Sequence, residues 1–88
     1  MDTITPHHIA LWRRRQDDSL KLTVYTSEAL YAADMMLAGK LISVPWDRAH
    51  TITRWIRSAN WLTEDERAHV IRQATDLLAV YDITPVQD

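Results

Sequence analysis

Residues 20–39, LKLTVYTSEALYAADMMLAG, constrain the fold of this chain more than any other stretch. Apolar and polar residues alternate over the first six positions, which is the two-residue period of a half-buried strand. Thr26 or Ser27 then caps a helix that has Glu28 in its first turn and is apolar nearly all round as far as Gly39. Such a helix is expected to pack on more than one side. The strand needs a partner for its backbone groups, either in this chain or in another one.

The composition is that of one small globular domain. The chain has 88 residues, of which 47% are hydrophobic and 25% charged, so we expect it to fold and not to be disordered. A single Gly and three Pro leave little material for loops, which favours helices joined by short connections. We therefore predict one domain over residues 1–88, with loose termini at 1–4 and 83–88.

The overall pattern predicts a mainly α-helical fold. We expect one short strand at 20–26 and three or four short helices, at about 6–17, 27–39, 45–58 and 63–82. Residues 41–44 are a candidate for a second, very short strand, and Ser43 is placed to help cap the third helix. The last helix has the clearest signal, because Thr63 and Glu66 have the spacing of a capping box. Apolar residues at helical spacing follow from Val70 to Tyr81.

Thr5 and Pro6 resemble the cap and first position of a helix, and this pair is the reason for predicting a helix at 6–17. Ile9 and Trp12 would point inward from it. Gly39 is expected to end the helix that begins near Ser27, because a helix end often uses a left-handed residue.

The sequence carries no catalytic signature. The chain has no Cys, and its one Gly cannot form a phosphate-binding loop. The four histidines are His7, His8, His50 and His69, and no carboxylate motif lies at ligand spacing from any of them. We predict no catalytic residue, no metal site and no cofactor. An enzyme that uses His50 or His69 is a further alternative.

Charge is spread unevenly along the chain. There are eight Lys/Arg and six Asp/Glu up to Ser58, but two Lys/Arg and six Asp/Glu from Ala59 onward, so the last helix is acidic. No apolar run is long enough to span a bilayer, and the N-terminus lacks the apolar region of a signal peptide. We therefore expect a cytoplasmic location and no membrane partner.

Four tryptophans are many for a domain of this size. We do not expect all four, Trp12, Trp46, Trp55 and Trp61, to be fully buried, and exposed tryptophans are frequent anchors of protein interfaces. Tryptophans that only cap the edges of a small core are the equal alternative. We predict a non-catalytic regulatory protein, an adaptor or inhibitor of the size common in phages and plasmids. It would bind a larger protein through an exposed Trp-bearing surface, its acidic last helix, or both.

Residues 21–58 also resemble the ribbon-helix-helix family of DNA-binding regulators. The similarity lies in KLTVYTSEALYAADMMLAG followed by ISVPWDRAHTITRWIRS, a strand and two helices. The resemblance implies a homodimeric transcriptional regulator or antitoxin, whose paired strands enter the major groove of DNA. It places Lys21, Thr23 and Tyr25 against the bases. In this alternative, Arg13, Arg14 and Arg15 are further nucleic-acid-binding candidates, because consecutive cations can hold phosphates.

Overall fold

Three antiparallel strands, three α-helices and one 3-10 helix form the fold of residues 5–86, the part of the chain that the computed structural model describes. This part is 46% helix and 26% strand, so the fold is α+β and the prediction of a mainly α-helical protein is wrong. In chain order the elements are β1 (His8–Arg14), β2 (Leu20–Tyr25), α1 (Glu28–Met35), β3 (Ala38–Pro45), a 3-10 helix (Trp46–Thr51), α2 (Ile52–Ser58) and α3 (Glu64–Val80).

The central strand of the sheet, β1, occupies the segment predicted as the first helix. The strand order is β2-β1-β3, and β1 is antiparallel to both neighbours. Ile9 and Leu11 are fully buried on one face, and Ala10 and Trp12 are buried on the other. A strand covered on both faces shows no alternation of apolar and polar residues. The missing two-residue period explains why the prediction of a helix at 6–17 is wrong.

The predicted strand at 20–26 is confirmed as β2, and its partner lies within the chain. β2 pairs with β1 in an antiparallel register that runs from His8 opposite Tyr25 to Arg13 opposite Leu20. The ribbon-helix-helix arrangement, in which this strand pairs with a second copy of itself, is therefore not the arrangement of residues 5–86.

The helix α1 begins where the sequence predicts but has a different environment. The Ser27 side chain accepts a hydrogen bond from the backbone N–H of Leu30, as expected of an N-cap. The helix ends at Met35, before Gly39, and none of its residues is buried. The prediction of a central helix packed on several sides is therefore wrong. Only one side of α1 lies on the sheet, and its apolar outer side is exposed.

The strand β3 is longer than the predicted segment at 41–44, and Gly39 belongs to it. The β1–β3 register places Lys40 opposite Arg13 and Ala38 opposite Arg14, so Gly39 is an extra residue in a β-bulge. A Cβ atom at Gly39 would come within 2.8 Å of the Arg15 Cγ atom. Gly39 thus permits a close approach of side chain to backbone and does not end a helix.

The predicted third helix, 45–58, is divided into two helices. Arg48 has non-helical backbone angles (φ −121°, ψ 18°) inside the 3-10 segment, and regular α-helix begins only at Ile52. No side chain caps the N-terminal end at Pro45, so the predicted cap from Ser43 is wrong.

The predicted last helix, at about 63–82, is confirmed as α3. The Thr63 side chain accepts a hydrogen bond from the Glu66 backbone N–H, and the Glu66 carboxylate accepts one from the Thr63 N–H. Val70, Ala74 and Leu78 are buried along one side. This stripe packs with α2 on Ile9 and Leu11 of β1 and forms the main core.

A second, smaller core lies between the sheet and α1. It contains Ala10, Trp12 and Tyr25, with Tyr31 and Met35 of α1 packed against them. The Tyr25 hydroxyl donates a hydrogen bond of 2.7 Å to the Asp34 carboxylate. Burial and this hydrogen bond raise the pKa of Tyr25 to about 12.

Further polar and stacking contacts attach α1 to the sheet. The hydroxyls of Tyr31 and Ser43 are 2.7 Å apart, and the His8 ring stacks on the Tyr31 ring with 4.3 Å between centroids. Of the predicted loose termini, residues 1–4, 87 and 88 lie outside the described residues. Ile83 packs against the main core, and the Val86 backbone N–H donates to the His50 carbonyl.

Candidate functional site

The outer side of β3 is an open strand edge. The Trp46 N–H donates to the His7 carbonyl at 2.9 Å. Together with the β1–β3 register, this hydrogen bond shows which residues of β3 bond to β1. Because bonded residues alternate along an antiparallel strand, Ile42 and Val44 direct their backbone groups toward β1. Leu41 and Ser43 direct theirs away from it. Within residues 5–86 no strand lies on that side.

A groove of about 540 Å³ runs along this edge, between β3 and the α2–α3 segment. We call it the β3 groove; it is lined by Leu41, Ile42, Ser43, Trp55, Ser58, Ala59, Asn60 and Trp61. Its floor is an unpaired strand edge and its walls include two indole rings. Such a site can pair with an extended backbone and accommodate an apolar side chain at the same time.

Trp55 is the most exposed tryptophan of the four. Ile52 and Ile56, on the inner side of α2, are fully buried, whereas Trp55, at the flank of that side, is 55% exposed. Trp61 follows α2 and is half-buried, and the Arg13 guanidinium lies 5.7 Å from its ring centroid. The two rings belong to the same groove although they come from different segments.

Two depressions lined by positively charged residues adjoin the β3 groove, one at each end. A depression of about 320 Å³ adjoins it at Trp61 and is lined by Arg13, Arg14, Arg15 and Lys40, with Asp18. Another, of about 260 Å³, adjoins it at Trp55 and contains Arg48 and Arg54. The three together have six Lys/Arg and one carboxylate in their lining. A ligand of this surface is therefore expected to be acidic.

Two of these arginines are already paired. The Arg13 guanidinium donates to the Glu66 carboxylate at 2.9 Å, which holds the pKa of Glu66 below its ordinary value of 4.5. Arg14 forms an ion pair with Asp17, and this hydrogen bond lowers the pKa of Asp17. Among the described residues Arg15, Lys40 and Arg48 form no ion pair, so their charge is available to a ligand.

The predicted protein-binding tryptophans are therefore separated into different regions. Trp55 and Trp61 line the β3 groove. Trp12 is 2% exposed inside the smaller core. Trp46 is half-buried, with its ring 4.9 Å from that of Tyr81 in an edge-to-face contact. The sequence does not indicate Leu41, Ser43, Lys40 or Arg48 as site residues, because their role depends on β3 being an edge strand.

The nucleic-acid-binding candidates of the ribbon-helix-helix alternative have several structural contacts. Tyr25 is buried and bonded to Asp34, and Lys21 and Thr23 are half-buried on the same face of the sheet as Tyr25. Arg15 donates to the Met36 carbonyl. These residues do not form one exposed strand face.

The acidic character of the last helix is concentrated at its first turn. Glu64, Asp65 and Glu66 lie there, which complements the helix dipole, and Glu66 is also engaged by Thr63 and Arg13. Part of this charge therefore serves the helix itself.

No cluster of three or more His, Cys, Asp or Glu that could hold a metal ion occurs within residues 5–86. In the same range no helix has the length and apolar character needed to cross a membrane. Comparison with protein-family models, with curated proteins and with solved structures found no match to this chain. The function of this chain is therefore inferred from the geometry and charge of the β3 groove.

Proposed function

We propose that this chain is a non-catalytic protein-binding domain that takes up an extended, acidic segment of a larger protein along β3. The observation that carries the proposal is the position of the exposed Trp55 beside an unpaired strand edge. The partner segment would add a fourth strand to the sheet and bond to the outward backbone groups of Leu41 and Ser43. An adaptor or inhibitor in the cytoplasm is the corresponding biological role.

The side chains of the β3 groove define what such a segment contains. Alternate residues of an added strand point to the same side, so every second residue would face Trp55 and Trp61. We expect an apolar residue at the centre of this series. Acidic residues on either side of it would meet Lys40 at one end and Arg48 at the other.

The ribbon-helix-helix alternative is less consistent with the contacts of β2. Tyr25 would have to leave the smaller core to reach a base, and β2 would have to leave β1 to pair with another chain. These contacts of β2 therefore favour protein binding at β3 over DNA binding.

The test is a selection of displayed random 12-residue peptides on the full-length protein, followed by titration calorimetry of the enriched peptides. We expect enriched sequences to alternate apolar and other residues and to carry a net negative charge. Trp55→Ala should weaken binding at least tenfold, because central aromatic anchors contribute about 2 kcal/mol or more to an interface. Val80→Ala changes another exposed apolar side chain, on α3 and outside the β3 groove, and is the control.

Two proline variants test the strand addition itself. Leu41→Pro removes an outward N–H, so the domain should keep its circular dichroism spectrum and lose peptide binding. Ile42→Pro removes an inward N–H from the β1–β3 ladder and should unfold the domain. Unchanged binding by Leu41→Pro would refute strand addition. Salt-sensitive binding of single-stranded DNA at Trp55, without any enriched peptide, would assign the groove to nucleic acid instead.

A further inference from the structure

Two arginine side chains hold the connection between α2 and α3. Arg67 of α3 donates from Nη2 to the carbonyls of Ala59 and Leu62, at 2.6 and 3.3 Å. Arg13 of β1 donates from Nη2 to the carbonyl of Trp61 at 3.4 Å. Hydrogen bonds from a charged donor are among the stronger ones in a protein. The backbone on both sides of Trp61 is therefore attached to β1 and to α3.

The side chains of this connection divide between the main core and the β3 groove. Ala59 and Leu62 are buried in the main core. Asn60 and Trp61, between them, line the β3 groove. A segment whose flanking side chains are buried and whose carbonyls are bonded has little freedom to move. The Trp61 ring thus extends from a fixed backbone.

Arg13 contacts the ring of Trp61 as well as its backbone. The Arg13 side chain lies on the face of β1 that also carries Ile9 and Leu11, and only 18% of it is exposed. Its guanidinium carbon is 5.7 Å from the centroid of the Trp61 ring, which is within the range of a cation–π contact. Arg13 therefore restricts the orientation of the indole in addition to the position of its backbone.

Both terminal nitrogens of Arg13 donate within the chain. Nη1 donates to the Asp18 carbonyl at 3.0 Å, and Nη2 donates to the Glu66 carboxylate at 2.9 Å. Lys40 lies opposite Arg13 in the β1–β3 register, is exposed, and forms no ion pair within the described part of the chain. A carboxylate that approaches this end of the β3 groove therefore meets an unpaired cation at Lys40 and a neutralised one at Arg13.

We propose that Arg13 is a positioning residue of the β3 groove, which orients the Trp61 ring toward the apolar residue of the ligand and does not bind the ligand itself. Lys40 is the cation that meets the acidic residue at this end. A ring held in its binding orientation loses little freedom when the ligand arrives, so Arg13 raises the affinity through Trp61. These roles rest on the proposed function of the groove, because they concern the same ligand.

The first test needs no ligand. In protein labelled with 5-fluorotryptophan, fluorine NMR gives separate signals for the four tryptophans, and Trp61→Phe assigns the signal of Trp61. We expect Arg13→Met to broaden this signal, because the ring then samples more than one orientation. Arg72→Met, at an exposed position on α3, is the control and should leave the signal unchanged. An equally sharp Trp61 signal in folded Arg13→Met would overturn the proposal.

Circular dichroism shows whether each variant is folded. If Arg13→Met does not fold, Arg13→Lys takes its place, because lysine keeps the charge and lacks the planar fork of donors that reaches three segments of the chain. We expect the same broadening of the Trp61 signal in Arg13→Lys. A signal as sharp as that of the native protein would then refute the positioning role.

The second test is a double-mutant cycle with the tightest-binding peptide of the display selection. Arg13→Met should weaken binding about threefold or more in the native protein and less than about twofold in the Trp61→Ala variant, because its effect passes through that ring. An equal loss in both proteins would show that Arg13 acts without Trp61 and would contradict the proposal. Failure to enrich any peptide would refute the proposed function, whereas the fluorine NMR signal still tests the positioning of Trp61.

The third test identifies the cation that meets the carboxylate of the ligand. Each acidic residue of the peptide is replaced by glutamine in turn. At least one replacement should weaken binding to the native protein and to Arg13→Met by the same factor, and should have little effect in Lys40→Met, where its partner is already absent. A glutamine effect that disappears in Arg13→Met and remains in Lys40→Met would assign the carboxylate to Arg13 and overturn the proposal.

Discussion

Replacing Tyr25 with Phe removes the hydroxyl that connects β2 to α1 and leaves the ring in place. In the folded chain this hydroxyl donates at 2.7 Å to the Asp34 carboxylate, and the Tyr25 side chain is 3% exposed. Since α1 has no buried residue, we expect the loss to act mainly on the attachment of α1. Asp34 is half-buried, so water can solvate part of the carboxylate once the hydroxyl is gone.

The expected cost follows from the kind of hydrogen bond that is lost. A hydrogen bond to a charged group contributes about 1.5–3 kcal/mol, and partial solvation of Asp34 places this one at the lower end, about 1.5 kcal/mol. For a domain of this size, that cost corresponds to a decrease of about 8 °C in the unfolding midpoint. Urea unfolding and differential scanning calorimetry measure both quantities. Asp34→Asn should lower the free energy of unfolding much less in the Tyr25→Phe variant than in the native protein, because the two groups act as a pair.

Alkaline pH perturbs the same hydroxyl without a mutation. The pKa of Tyr25 is raised to about 12 in the folded state from an ordinary value of 10.0, so the unfolded chain loses this proton first. The stabilising contribution is therefore complete below pH 10 and is lost as the pH rises toward 12. We expect the free energy of unfolding of the native protein to decrease in this pH range, and that of the Tyr25→Phe variant to decrease less. Two results would refute the role assigned to this hydrogen bond. One is an equal decrease in the free energy of unfolding of both proteins at alkaline pH, and the other is a cost of Tyr25→Phe below about 0.3 kcal/mol.

Two further predictions concern the main core and the start of α3. Leu78→Ala removes a fully buried side chain and should lower the free energy of unfolding by about 2–5 kcal/mol. Val80→Ala, at a position that is 76% exposed, should change it by no more than about 0.5 kcal/mol. Similar urea midpoints for the two variants would contradict the orientation of α3. The hydrogen bond from Arg13 keeps the pKa of Glu66 below 4.5, so its contribution is present above pH 4.5 and is lost as the pH falls through the lowered value. The free energy of unfolding of Glu66→Gln, measured by urea unfolding at a series of pH values, should therefore decrease less below pH 5 than that of the native protein. The same decrease in both proteins would exclude a contribution from the Arg13–Glu66 pair.

Local signals were sufficient to predict β2, the Ser27 cap and α3. Each depends on residues close together in sequence, such as the alternation along Leu20–Tyr25 and the pair Thr63 and Glu66. The sequence predicts the start of α1 correctly, but the apolar composition of the helix wrongly predicts that it packs on several sides. Among the apolar residues of α1, Tyr31 and Met35 pack against the sheet, and the others face outward.

The candidate site could not be predicted in the same way, because it depends on long-range pairing. The sequence of β1 has no two-residue period, since both faces of the strand are covered. Without β1, neither the sheet order nor the open edge of β3 can be inferred. The sequence predicts Trp55 and Trp61 as candidate anchors, but no local pattern indicates that they share a groove with Leu41 and Ser43.

The central position of β1 has a consequence for synthesis of the chain. β1 is made before both of its neighbours, and β2 follows it after a short turn. A hairpin of these two strands can close while the rest of the chain is still inside the ribosome. The other side of β1 stays unpaired until β3 has emerged, and Ile9 and Leu11 stay uncovered until α3 has emerged. Nascent chains of intermediate length are therefore the stage at which this protein is most exposed to aggregation and to chaperones.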